Sequence, residues 1–153
     1  MVIAVDFDGT IVKHRYPEIG DEIPFAIETL KMLASEGHQL IMWSVRSGKL
    51  LDDAVEWCRE RGLEFWAVNR DFPEEDINNN REFSRKLRVD MFIDDRNLGG
   101  LPDWGTIYKM IHDKKTFADL LYEASQSPSG GLMDSKTAPE LKWWQKIAEK
   151  VMG

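Results

Sequence analysis

The chain has 153 residues, of which 42% are hydrophobic and 31% charged; a disordered chain lacks the apolar content to match this. Its 27 acidic against 20 basic residues give a net charge of −7, which argues against a broad nucleic-acid surface, since such surfaces are basic. One cysteine excludes an internal disulfide framework, and no apolar run approaches the roughly 18 residues of a membrane span.

The start, Met-Val-Ile-Ala-Val-Asp, has no basic leader, so the expectation is a cytoplasmic protein without membrane association. Met1 to Phe7 is a continuous apolar run that stops at acids, the pattern of a buried parallel strand. Ile23, Ala26, Ile27, Leu30, Leu33 and Ala34 recur at helical spacing, with Pro24 suited to the first turn and Gly37 to the stop. Gln39 to Trp43 reads as a second strand ending at Ser44, and Leu50 to Arg61 as an amphipathic helix closed by Gly62. Cys58 falls on the apolar face of that helix with Leu51, Ala54 and Val55, the position of a small buried hydrophobe. Leu63 to Val68 is a third strand, 70–82 a polar loop, and Phe83 to Leu87 a short helix. Val89 to Ile93 is a fourth strand, again ending in acids, and Thr106 to Met110 a fifth. Phe117 to Ala124 is helical. Residues 1–124 are thus expected to form one α/β domain, with a flexible linker over 125–138 and an amphipathic C-terminal helix over 139–153. In the last, Leu141, Trp144, Ile147, Ala148 and Val151 line one side and are expected to dock on the chain's own core.

Strands alternating with helices predict a parallel sheet covered on both faces, and such sheets bind ligands beyond the carboxyl ends of their strands. Three strands carry polar residues there: Asp6 with Asp8, Ser44, and Asp94 with Asp95. Two carboxylates two residues apart can face one cavity, and Gly9 permits a sharp departure of the backbone. Oxygen ligands suit Mg²⁺, and a carboxylate can attack phosphorus. A calcium-loop reading fails, because the positions that need Gly and Glu hold Ile11 and Pro17. Asp8-Gly9 as a plain turn is the weaker alternative. Ser44 and the backbone amides of Val45 and Arg46 can hold phosphate oxygens; the competing reading makes Ser44 the N-cap of the next helix. Arg46 offers a fork for phosphate or for an acid. Lys86 is one cation among three, and a solvated surface lysine is the usual case. The pair Asp94-Asp95 needs a cation to offset its repulsion, either a metal or Arg96.

These residues resemble the haloacid dehalogenase-like (HAD) superfamily of phosphohydrolases over roughly residues 1–110. The matching parts are Asp6-Phe7-Asp8-Gly9-Thr10, then Ser44 closing the second strand, then Lys86 four before Asp90, and then Asp94-Asp95. The resemblance implies a Rossmann-like three-layer sandwich around a mostly parallel five-stranded sheet, with no large cap domain, since neither interval between motifs has room for one. It implies that Asp6 is the nucleophile, that Asp8 is general acid and then base, and that Ser44 and Lys86 stabilise the transferring phosphoryl. Asp6, the backbone carbonyl of Asp8, Asp94 and Asp95 would hold Mg²⁺, with the division between Asp94 and Asp95 left open. Gly9, Thr10, Val45 and Arg46 would contact the substrate. The implied activity is hydrolysis of a phosphate monoester through an aspartyl phosphate. The acidic balance favours a small phosphorylated metabolite, a sugar or nucleotide, over a polynucleotide end. Homo-oligomerisation stays open, as does a lid from a neighbouring subunit. A receiver-like phosphoacceptor gathers similar residues but in a different strand order. His14, in the loop after the first motif, is expected to be solvated rather than in contact with substrate.

Overall fold

Among the described residues, four short parallel strands form the sheet: β1 (Val2–Val5), β2 (Gln39–Met42), β3 (Ala67–Val68) and β4 (Met91–Ile93), in the spatial order β3-β2-β1-β4. The structure, a computed structural model, describes residues 1–76, 84 and 86–126. Val2 to Val5 pair in register with Gln39 to Met42, and Ile3 to Val5 with Met91 to Ile93. The chain therefore moves outward from β1 through β2 to β3 and returns to the other side of β1 as β4. That reversal opens a crevice beyond the carboxyl ends of β1 and β4, where ligands collect in sheets of this kind.

The helices α1 (Ala26–Ser35), α2 (Lys49–Arg59) and α3 (Trp104–His112) follow β1, β2 and β4. Side chains alternate along a strand, so neighbouring residues face opposite sides of the sheet. Ile3 and Val5 of β1 join Leu30 and Leu33 of α1, Ala54 and Cys58 of α2, and Trp104, Ile107 and Ile111 of α3 in one buried cluster. Ala4 and Ile41 face the other way, into a smaller cluster with Ala67 and Leu87 that contains no residue of these helices. Burial pushes the Cys58 thiol up to about 12, so it packs as a hydrophobe and is no nucleophile at neutral pH. Gly37 and Gly62, at φ +87° and +75°, end α1 and α2 as their placement predicts.

The expected fifth strand is a helix. Thr106 to Met110 lie inside α3, whose N-cap Asp103 accepts a hydrogen bond from the Thr106 amide at 3.0 Å. The buried positions Trp104, Ile107 and Ile111 follow helical spacing. The β-branched and aromatic residues of this stretch favour a strand by composition, but capping and periodicity prevail. The third strand is also shorter than the expected Leu63 to Val68. Of the short helix expected over 83–87, Ser84, Lys86 and Leu87 are described and are not helical.

The chain divides into two compact units, Met1–Lys114 and Lys115–Gly153. In the second, α4 spans Phe117–Gln126, and Thr116 and Asp119 cap its start reciprocally through side-chain and amide bonds of 2.7 and 3.2 Å. Most of the predicted linker and all of the predicted terminal helix lie outside the described residues. Among the described residues, no helix is long and apolar enough to cross a membrane.

Candidate functional site

The carboxyl ends of the strands converge on a cleft of about 130 Å³ lined by Asp6, Asp8, Trp43, Ser44, Val45, Asp94 and Arg96. Backbone pairing positions the acids. The Asp6 amide donates to the Ile93 carbonyl at 2.9 Å, which carries the β1–β4 ladder one residue past the strands and sets Asp6 beside Asp94. Carboxylate oxygens of Asp6, Asp94 and Asp95 lie within 4.8 Å of one another. Among the described residues, no lysine or arginine forms an ion pair with any of the three. Burial, then the charges of Asp94, Asp95 and Asp8, push the Asp6 carboxyl up to about 6 from its ordinary 3.8, against the lowering by the Phe7 amide.

The turn after β1 fixes the second acid differently. Gly9, at φ +95°, lets the chain double back, and the Gly9 amide donates to the Val12 carbonyl at 2.7 Å. Asp8 is buried there, outside the triad, and both of its oxygens accept from Arg46: Nε at 2.6 Å and Nη2 at 2.7 Å. Arg46 is 1% exposed. Its remaining contacts hold the loop after the first motif, with Nη1 donating to the Pro17 carbonyl and Nη2 to the Glu18 carbonyl, both at 2.9 Å. The Asp8 hydrogen bonds push the guanidinium above its ordinary pKa. Arg46, expected as a substrate contact, thus has its fork turned to Asp8 and the loop.

Ser44 lines the cleft, while the N-cap of α2 is Gly48, so Ser44 caps no helix. Its Oγ accepts from the Arg46 amide at 3.2 Å. That amide, expected to hold a phosphate oxygen, is engaged within the loop. Asn69, just beyond β3, clamps the same loop. The Ser44 amide donates to Asn69 Oδ1 at 2.8 Å, and Asn69 Nδ2 donates to the Ser44 carbonyl at 2.9 Å. Asn69 has φ +52°, a conformation asparagine tolerates better than most residues. Its only signal in the sequence is its place at the carboxyl end of the third strand.

Thr10 is buried and structural in its contacts. Its Oγ1 accepts from the Asp95 amide at 3.1 Å, and its carbonyl accepts from Trp104 Nε1 at 3.2 Å. It ties the loop after β4 to the turn after β1. Gly9 packs against Asp95, for a Cβ there would stand 2.5 Å from Asp95 Oδ2 and from His14 Nε2. His14 is no bystander: its Nε2 lies 3.0 Å from Asp95 Oδ2. Lys86 is exposed, and among the described residues it is not one that lines the cleft. Val45 lines the cleft and is largely exposed. Arg96, weighed only as a neutraliser of the acidic pair, is exposed and lines the cleft, and its amide donates to Asp94 Oδ1 at 2.8 Å.

The donor set suits a small hard cation. Three carboxylates supply oxygen ligands, and Asp95 Oδ1 is buried without a hydrogen-bond partner among the described residues, a costly state that a cation would relieve.

No family model and no curated protein matches the chain. Among solved structures it is similar to a conserved protein coded by a locus of Bacteroides thetaiotaomicron. The two are 69% identical with a TM-score of 0.74, over 78% of this chain and 96% of that one.

Proposed function

The chain belongs to the family of that conserved Bacteroides thetaiotaomicron protein, and from the geometry of its cleft we propose a Mg²⁺-dependent phosphatase of the HAD type that hydrolyses a phosphate monoester. The observation that carries this reading is the convergence of Asp6, Asp94 and Asp95, without a lysine or arginine ion-pair partner among the described residues, where the order of the sheet reverses. Bound Mg²⁺, held by these three carboxylates, would offset the charge of an ionised Asp6 and of the phosphoryl oxygens.

In the proposed reaction an Asp6 carboxylate oxygen attacks phosphorus, and the ester P–O bond breaks. Asp8 gives a proton to the departing oxygen. It then takes one from the water that releases inorganic phosphate from Asp6. Asp8 lines the cleft, but Arg46 holds both its oxygens, so proton transfer requires one of these bonds to open. Ser44, with Arg96 at the exposed edge, is available to the phosphoryl oxygens; Lys86 would have to turn toward the cleft to join them. The volume of about 130 Å³ is well below the roughly 300–1,000 Å³ of sites that enclose a drug-sized ligand. The cleft therefore takes the phosphoryl end and leaves the rest of the substrate outside. The chain's acidic balance favours a small sugar or nucleotide phosphate over a polynucleotide end. Turnover of a panel of phosphate monoesters and 5′- or 3′-phosphorylated oligonucleotides, with and without Mg²⁺, tests both points. Metal-dependent release of phosphate from small esters is expected; no release from any member of the panel contradicts the proposal.

A further inference from the structure

His14 reaches from the loop after the first motif across 81 positions of sequence to Asp95, and its Nε2 lies 3.0 Å from Oδ2. The contact needs a proton on Nε2, which the Nε2–H tautomer or the imidazolium supplies. His14 is half exposed, so general burial does not force it there. What permits it is Gly9, whose bare Cα lets the imidazole and the carboxylate meet over the turn; a Cβ would be 2.5 Å from both. The Asp95 backbone is fixed as well, by its amide bond to Thr10.

The result is an unequal carboxylate. Oδ2 is occupied by His14, and Oδ1 is buried with no partner among the described residues. Asp94 is treated alike, since its Oδ1 accepts the Arg96 amide at 2.8 Å. Two of the three clustered carboxylates thus have one oxygen engaged by a hydrogen bond within the chain. Calcium takes six to eight oxygens and accepts bidentate carboxylates, whereas magnesium demands a smaller octahedral set and retains waters.

We propose that His14 is a specificity-determining residue for the cation: by holding Asp95 Oδ2 it restricts Asp95 to a single donor oxygen and biases the cleft toward magnesium over calcium. The inference rests on the cation site of the proposed function. It concerns the chain's own hydrogen bonds, so binding can test it without turnover.

The experiment is calorimetric titration of the full chain with Mg²⁺ alone and with Ca²⁺ alone, for the wild type, His14→Ala and His14→Gln. Glutamine keeps an N–H donor at a similar reach. Partners of ligating groups typically change metal affinity about 10–100-fold. The ratio of calcium to magnesium dissociation constants is expected to fall about tenfold in His14→Ala and to stay near the wild-type value in His14→Gln. An unchanged ratio in the alanine variant, or an equal fall in both variants, overturns the role of His14 while leaving the cation site in place. A wild type that binds neither ion removes the proposed function and this inference with it. Circular dichroism of each variant checks folding; if the alanine variant does not fold, the same ratio in His14→Asn, which shortens the donor, replaces it.

Discussion

Asp6 and Asp8 stand two residues apart and line the same cleft, yet their surroundings differ. Asp8 is buried against a guanidinium that answers both its oxygens, and that guanidinium also secures the loop through Pro17 and Glu18. Asp6 sits instead with two further acids and, among the described residues, no basic ion-pair partner. A buried ion pair is evaluated against the large cost of removing charge from water, and breaking one by losing a single partner is severe. Burial and the neighbouring acids raise the pKa of Asp6, which a cation would offset. The Asp8 side is thus complete within the chain, while the Asp6 side, on the proposed reading, would be completed by a bound cation.

The largest effect expected on this contrast is on turnover. Asp6→Asn should reduce phosphate release by about 10³-fold or more, as the loss of a nucleophile does, in a protein whose circular dichroism is unchanged. Activity near that of the wild type would assign the nucleophile elsewhere. Next is Arg46→Met, which strands Asp8 as an uncompensated buried charge and should lower unfolding free energy by about 3–5 kcal/mol in urea. A loss under about 1 kcal/mol would mean that Asp8 is not dependent on Arg46.

The third prediction separates the two sides by pH. The carboxyl of Asp6 titrates near 6 in the fold against an ordinary 3.8. The folded state therefore binds its proton more tightly than the unfolded state between those values. The stability tied to that proton is fully present below about pH 4 and is lost as pH rises through 6. In metal-free buffer, Asp6→Asn should accordingly melt higher than the wild type at pH 7, with the difference vanishing toward pH 4. A melting difference that is constant with pH would contradict the crowding of charge at Asp6. The smallest effect is expected at Asn69. Asn69→Ala removes the clamp on the Ser44 loop and leaves the Ser44 amide and carbonyl unanswered, at about 1–3 kcal/mol, measured by thermal melting. A stability unchanged by the substitution would show that Asn69 does not hold the loop.

How much of this was legible in the sequence follows the same division. The acids of the cleft were readable, because each closes an apolar strand and the alternation of strands with helices fixes where strand ends meet. The pairings were not. Asp8 with Arg46 and His14 with Asp95 join residues 38 and 81 positions apart, and local pattern carries no information on which loop side chains meet. By type Arg46 offers its fork to phosphate or to an acid, and only its burial against Asp8 decides for the acid. Resemblance makes Thr10 a substrate contact, whereas its hydroxyl receives the Asp95 amide. Thr106 to Met110 differ for another reason. Ile107 and Tyr108 suggest a strand by type, while Asp103 and the spacing of Trp104, Ile107 and Ile111 specify a helix; the periodic signal was present and was outweighed by composition.

The central claim, that Asp6, Asp94 and Asp95 share one cation, is tested most directly by anomalous diffraction from crystals of the chain grown with Mn²⁺ as a substitute for Mg²⁺. One anomalous peak within coordinating distance of all three carboxylates is the predicted result. An ion bound elsewhere, or no peak among these acids at saturating Mn²⁺, would contradict it.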